Sequence, residues 1–170
     1  ALATSFYNSF ELPLTIIRPF NVYGPRQSAR AVIPTIISQV LSGKKEISLG
    51  APHPTRDFTF VKDTVSGMRR ICEAKTDGKT INLGSGKEVS INDLAHLISE
   101  IFEKEVNFKF KDQHRMRPDS SEVDQLLCDN NLLIETTDWS PQIHLRDGLS
   151  QTIEWFKDNL HFYKSDIYNI

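Results

Sequence analysis

Short apolar runs alternate with helix-period stripes along this chain, which predicts an α/β fold. Residues 5–10 finish a helix, and Leu14, Ile16 and Ile17 then mark a buried strand over 14–17. Ile33, Ile36, Ile37, Val40 and Leu41 recur at helical spacing, with Gly43 just past them as a C-terminal cap. Residues 46–49 read as a short strand, 50–54 as a Gly- and Pro-rich loop, and 57–61 as extended. Val61, Val65, Met68 and Cys72 mark one face of a second helix. A strand over 79–83 runs into Gly84-Ser85-Gly86. Ser90 followed by Asp93 makes a capping-box start, with Asp in place of the usual Glu or Gln. The helix it opens turns Ile91, Leu94, Ala95, Ile98, Ile101 and Phe102 inward. Val106, Phe108 and Phe110 alternate with Asn107 and Lys109 as a half-buried strand. A polar stretch over 112–121 precedes a last amphipathic helix carrying Leu145, Leu149, Ile153, Phe156 and Leu160.

The chain shows no internal repeat and no low-complexity segment. Its 170 residues suffice for one buried core, and 1–170 reads as a single unit. No stretch approaches the roughly 20 apolar residues that span a bilayer, and the first residues lack a basic-then-apolar leader. The net charge of −2 argues against a nucleic-acid-coating protein. Cys72 and Cys128 form no CxxC and read as unpaired buried thiols of a cytoplasmic protein. The five histidines show no ligand spacing, so no metal site is expected.

Candidate chemistry falls in the polar turns after strand ends: 21–30, 50–57, 84–87 and 112–121. In Arg18-Pro19-Phe20-Asn21-Val22-Tyr23-Gly24-Pro25-Arg26 the chain turns with Asn21 at the corner. The Asn21 amide both donates and accepts, which suits a carbonyl, hydroxyl or phosphate oxygen; alternatively it bonds its own turn. Arg56 either binds a diphosphate through its planar fork or pairs with an acid such as Asp57, and Arg117 poses the same choice. Gly84-Ser85-Gly86 is not a dinucleotide fingerprint. Asn82 before it either ties neighbouring loops or touches ligand. No general base, nucleophile or oxyanion device can be assembled, so no catalytic residue is assigned and the chain reads as a binder.

The segments "LPLTIIRPFNVYGPRQ", "AVIPTIISQVLSGK", "TRDFTFVKDTVSGM", "INLGSGKEVSINDLA" and "RPDSSEVDQLLCDNN" occur in this order over nearly the whole chain. Together they resemble the C-terminal half of the extended short-chain dehydrogenase/reductases, in particular the NAD-dependent nucleotide-sugar 4,6-dehydratases and epimerases. Within these, the arginine-rich stretch from Pro25 to Ala31 is similar to enzymes acting on UDP-N-acetylhexosamines. The resemblance implies a Rossmann-type α/β fold, of which this chain supplies the substrate-binding portion and the last sheet elements. Members of the family carry a GxxGxxG fingerprint and a catalytic Tyr-x-x-x-Lys, and neither occurs here. Tyr7 is followed four residues on by Glu11, and Tyr23 by Gln27.

By resemblance, Asn21 bonds the diphosphate or the sugar, and Arg30, Val32, Ile33 and Pro34 border the nucleotide. Arg56 and Arg117 clamp the diphosphate, Asn82 lines the same site, and Pro19 and Phe20 face the nicotinamide of NAD. The implied ligand is a UDP- or dTDP-linked sugar, and the implied reaction is oxidation at C4, loss of water across C5 and C6, and reduction at C6. A 4-epimerase shares every motif present. A free-standing non-catalytic nucleotide-sugar module is the other reading, against which the opening Ala1-Leu2-Ala3, apparently in mid-helix, counts. Sheet edges left open by a missing cofactor half would invite self-association, so a homodimer is expected.

Overall fold

A computed structural model of the chain describes residues 1–110 and 123–163. The elements run α1 (Leu2–Phe10), β1 (Ile16–Pro19), β2 (Asn21–Tyr23), α2 (Val32–Leu41), β3 (Glu46–Ser48), β4 (Thr55–Phe60) and α3 (Val61–Glu73). They continue with β5 (Thr80–Leu83), β6 (Glu88–Ser90), α4 (Ile91–Ile101), β7 (Asn107–Lys109), β8 (Gln125–Leu126), α5 (Asn131–Thr137) and α6 (Leu145–Asn159). The polar stretch 112–121, with Arg117, lies outside the described residues.

Parallel pairing dominates. β1 lies beside β5 with Ile17 opposite Ile81, and β3 lies beside β7 with Ile47 opposite Phe108. β4 changes partners along its length. Its second half pairs with β2, placing Asn21 opposite Phe58, while its first half is flanked by antiparallel β6 and parallel β8. Such a strand gathers residues from three other segments around one short stretch of backbone.

The main core forms where α2, α4 and α6 pack on β3 and β4. Ile33, Ile36, Ile37, Ile47, Leu94, Ile98, Leu149 and Phe156 are all fully buried there, each contributing about 1.5–3 kcal/mol of transfer free energy. A smaller cluster of Ile71, Ile81, Leu83, Leu133 and Trp139 lies under α3, β5 and α5. The Ser90 hydroxyl caps α4 by accepting from the Asp93 amide at 3.0 Å, as the capping-box pattern predicts.

The structure corrects three expectations. Residues 21–23 are a strand rather than a turn, because β4 offers them a ladder partner. The inward face of α3 holds Asp63, Thr64, Gly67 and Ile71, whereas Val65 is 60% exposed. That face reads as polar in sequence because its small members are needed for close approach: a Cβ on Gly67 would sit 2.9 Å from Leu83 Cδ1. With the helix so turned, Cys72 is exposed, and only Cys128 is a buried thiol.

Candidate functional site

The residues of β4 alternate between two faces, and that alternation organises the site. Arg56 and Phe58 line a cavity of about 330 Å³, together with Asn21 of β2, Arg30 and Val32 at the start of α2, Leu49 after β3 and Ile91 of α4. Asp57 and Thr59 project to the other face, because adjacent strand residues point apart. The Arg56 guanidinium donates to the Thr55 carbonyl at 2.8 Å and is half-buried.

Asp57 is wholly buried and satisfied by donors from two other segments. Its Oδ1 accepts from the Ser85 amide at 2.8 Å and the Ser85 hydroxyl at 2.6 Å. Its Oδ2 accepts from the Gly86 amide at 2.8 Å and the Cys128 amide at 3.2 Å. A buried carboxylate is tolerated when its oxygens are filled in this way. The same packing makes Gly84 obligatory, since a Cβ there would overlap the Cys128 side chain. Burial first, then the carboxylates of Asp57 and Asp129, pushes the Cys128 thiol up to about 12, so it stays protonated and unreactive at neutral pH.

Asn21 is neither a turn residue bonding its own backbone nor wholly free. Its Nδ2 donates across the ladder to the Asp57 carbonyl at 3.3 Å. Arg30 is exposed at the cavity mouth, on the loop between β2 and α2. That loop turns through Gly24 and Arg26, whose φ values are +147° and +67°.

The structure therefore brings Asn21, Arg30, Val32 and Arg56 into one cavity. It does not bring the rest there. Ile33 is in the core with no exposed surface, and Pro34 is buried beside it. In a helix, only the one stripe that holds Val32 and Thr35 faces the cavity. Asn82 lies on β5 opposite Arg18 and donates to the Asp129 carbonyl at 3.3 Å, the loop-tying alternative. Residues missed in sequence include Gln27, Thr35, Leu49 and Phe58. Gln27 lies within the flagged stretch 21–30 and Leu49 adjoins 50–57, but the facing of Phe58 follows only from the register of β4.

Pro19 and Phe20 sit at the carboxyl ends of β1 and β5, where the Phe20 amide donates to the Leu83 carbonyl at 2.9 Å. Open α/β sheets bind ligands at such ends, and Pro19 is exposed there. The described residues do not, however, form a cradle for a dinucleotide's phosphates. In the one glycine-rich turn after a strand, the Ser85 and Gly86 amides are already taken by Asp57. Among the described residues no group of His, Cys, Asp and Glu could hold a metal ion.

Residues 1–152 match the family model described as GDP-mannose 4,6 dehydratase. The chain belongs to that family. Its relatives include a human dTDP-D-glucose 4,6-dehydratase, 28% identical over 95% of this chain and 46% of the relative. A UDP-N-acetyl-alpha-D-glucosaminuronate decarboxylase of Bacillus cytotoxicus is 32% identical over 86% of this chain and 47% of its own length. Among solved structures, UDP-glucuronic acid 4-epimerase from Bacillus cereus, in complex with UDP-glucuronic acid and NAD, superposes with a TM-score of 0.84. It is 28% identical, over 93% of this chain and 49% of that one. The fold is thus that of the Rossmann-type extended short-chain dehydrogenases/reductases, and the chain spans about half the length of the curated relatives it matches.

Proposed function

We propose that this chain forms the nucleotide-sugar-binding half of an NAD-dependent nucleotide-sugar 4,6-dehydratase that works in the cytoplasm on a UDP- or dTDP-linked sugar. The observation that carries this reading is the convergence of Asn21, Arg30 and Arg56, from three separate segments, on one cavity floored by Val32, Leu49, Phe58 and Ile91. An apolar floor with a few polar groups at the mouth suits a base and ribose below and a diphosphate above. Arg56 takes the diphosphate, Asn21 accepts from the sugar or ribose, and Arg117 joins Arg56 from outside the described residues. NAD supplies the hydride chemistry, held mostly by residues other than those described. With remote binding energy the chain holds the sugar in register for that chemistry. The same reading makes the protein a homodimer.

Titration of the intact protein with UDP and dTDP in a calorimeter tests the site. Binding of either is expected, and Arg56→Ala should weaken it by about tenfold or more, the worth of a hydrogen bond to a charged group. The melting temperature should stay near that of the parent. Absence of binding to the intact protein, or unchanged affinity in the variant, would overturn the assignment.

The 4-epimerase reading is favoured by the superposition on a UDP-glucuronic acid 4-epimerase. The two reactions differ in product. NMR of the turnover mixture would show a 4-keto-6-deoxy sugar for the dehydratase and a C4-inverted sugar for the epimerase.

A further inference from the structure

The wall of the cavity that carries Gln27 and Arg30 is a loop, tied to α2 by the Thr35 hydroxyl, which donates to the Ala29 carbonyl at 3.3 Å, and packed at Gly24 against Val61. Within the loop, Gln27 N donates to Gly24 O at 3.3 Å and Ala31 N to Ser28 O at 3.0 Å. Two bonds tie Gln27 to other elements. Its Nε2 donates to the Val22 carbonyl of β2 at 2.9 Å, and its own carbonyl accepts from the Tyr163 hydroxyl at 2.7 Å. Tyr163 arrives from 136 residues further along the chain.

The Tyr163 ring is well seated. It lies 4.4 Å from the fully buried Phe156 of α6 and meets Trp155 edge-on at 6.2 Å. Behind the loop the packing is open. A second cavity separates Arg26, Ser28 and Ala29 from Trp155, Asn159 and Phe162. Across that cavity the loop is reached by the hydroxyl of Tyr163, whose ring packs on Phe156 of α6. Burial raises the Tyr163 pKa above its ordinary value, so the hydroxyl keeps its proton throughout the neutral range.

We infer that Tyr163 is a positioning residue for the nucleotide-sugar cavity: its hydroxyl, held by Phe156, fixes the Gln27 carbonyl and with it the wall bearing Arg30. The inference rests on the proposed nucleotide-sugar site. Tyr163 itself does not line that cavity. It acts at a distance, through backbone whose left-handed residue, Arg26, would otherwise be free to relax.

Tyr163→Phe keeps the ring and removes only the hydroxyl. Three readouts are made on the intact protein. Hydrogen exchange of the amides over 24–31 is expected to speed by about fivefold or more, with exchange in α2 and α6 unchanged, as loss of one hydrogen bond implies. The affinity for UDP is expected to fall by a similar factor, about three- to tenfold. In turnover, KM should rise and kcat stay within about twofold, since the lost contact acts on binding alone. Unchanged exchange over 24–31 overturns the inference, and so does faster exchange with undiminished UDP affinity. Failure of the unsubstituted protein to bind UDP or dTDP overturns the site reading itself, and is told apart because it precedes any substitution.

Discussion

The two ends of the described chain are built on opposite terms. Around α6, side chains are consumed: Gly148, Leu149, Thr152, Ile153 and Phe156 are buried, and the Tyr23 hydroxyl reaches the Leu145 carbonyl at 3.2 Å. Gly148 is required there, because a Cβ would overlap the Tyr23 hydroxyl. Burial first, then the carboxylates of Asp63 and Asp147, holds the Tyr23 phenol far above its usual range, so it is a permanent donor. Around α1, nothing is consumed. No residue of that helix is buried, and Leu2 and Phe10 are 74% and 72% exposed. They form a stripe with Phe6 at four-residue spacing. The strand that follows, β1, pairs on one side only, with β5, among the described residues. The lesson is that the candidate cavity lies on the half with the surplus of packing. β4 and α2, which line much of that cavity, sit on the main core.

The contrast can be broken at its strong end first. Phe156→Ala should destabilise by about 3–5 kcal/mol, the cost of deleting a buried aromatic and leaving its space. Thermal or urea unfolding would check it, and a loss below about 1 kcal/mol would mean that the α6 core is not where the stability lies. Next is the Asp57 junction, which joins that core to β5 and to Cys128. Asp57→Asn substitutes a donor for one acceptor among three backbone amides and a hydroxyl. A loss of about 2–3 kcal/mol is expected, with faster exchange at the Ser85 and Gly86 amides. The weakest effect on folding belongs to α1. Changing Leu2, Phe6 and Phe10 together to Ser should move stability by no more than about 0.5 kcal/mol per site, as for exposed positions generally. The same change should shift the mass seen by light scattering toward monomer if the proposed dimer uses this stripe. Loss of stability without change of mass would place α1 in the core instead.

Much of the fold was legible in the sequence where one local rule dominated. The stripe of α2, the Ser90 cap of α4 and the stripe of α6 each follow from residue spacing. The stretches 21–30 and 50–57, though partly strand, do supply several of the cavity's lining residues, among them Asn21, Arg30 and Arg56. Legibility failed where small or polar residues face inward. The buried face of α3 is Asp63, Thr64 and Gly67 before it reaches Ile71, and no apolar period reveals it. Short strands such as β2 and β6 carry too few residues to show a period at all, and they exist because β4 lies between them.

By itself, then, the sequence determined the α/β class, the helical stripes, the absence of a catalytic Tyr-x-x-x-Lys and the family resemblance, since each is written in residue type and spacing along the chain. Only the tertiary structure decided which of two neighbouring charges lines the cavity. In the sequence Arg56 is the candidate and Asp57 beside it only a possible partner. The pleat of β4 sends one to the cavity and buries the other among the amides of Ser85, Gly86 and Cys128. Those amides come from 28, 29 and 71 residues away. A carboxylate can be buried only once such distant donors have been folded around it, and no local pattern encodes their arrival.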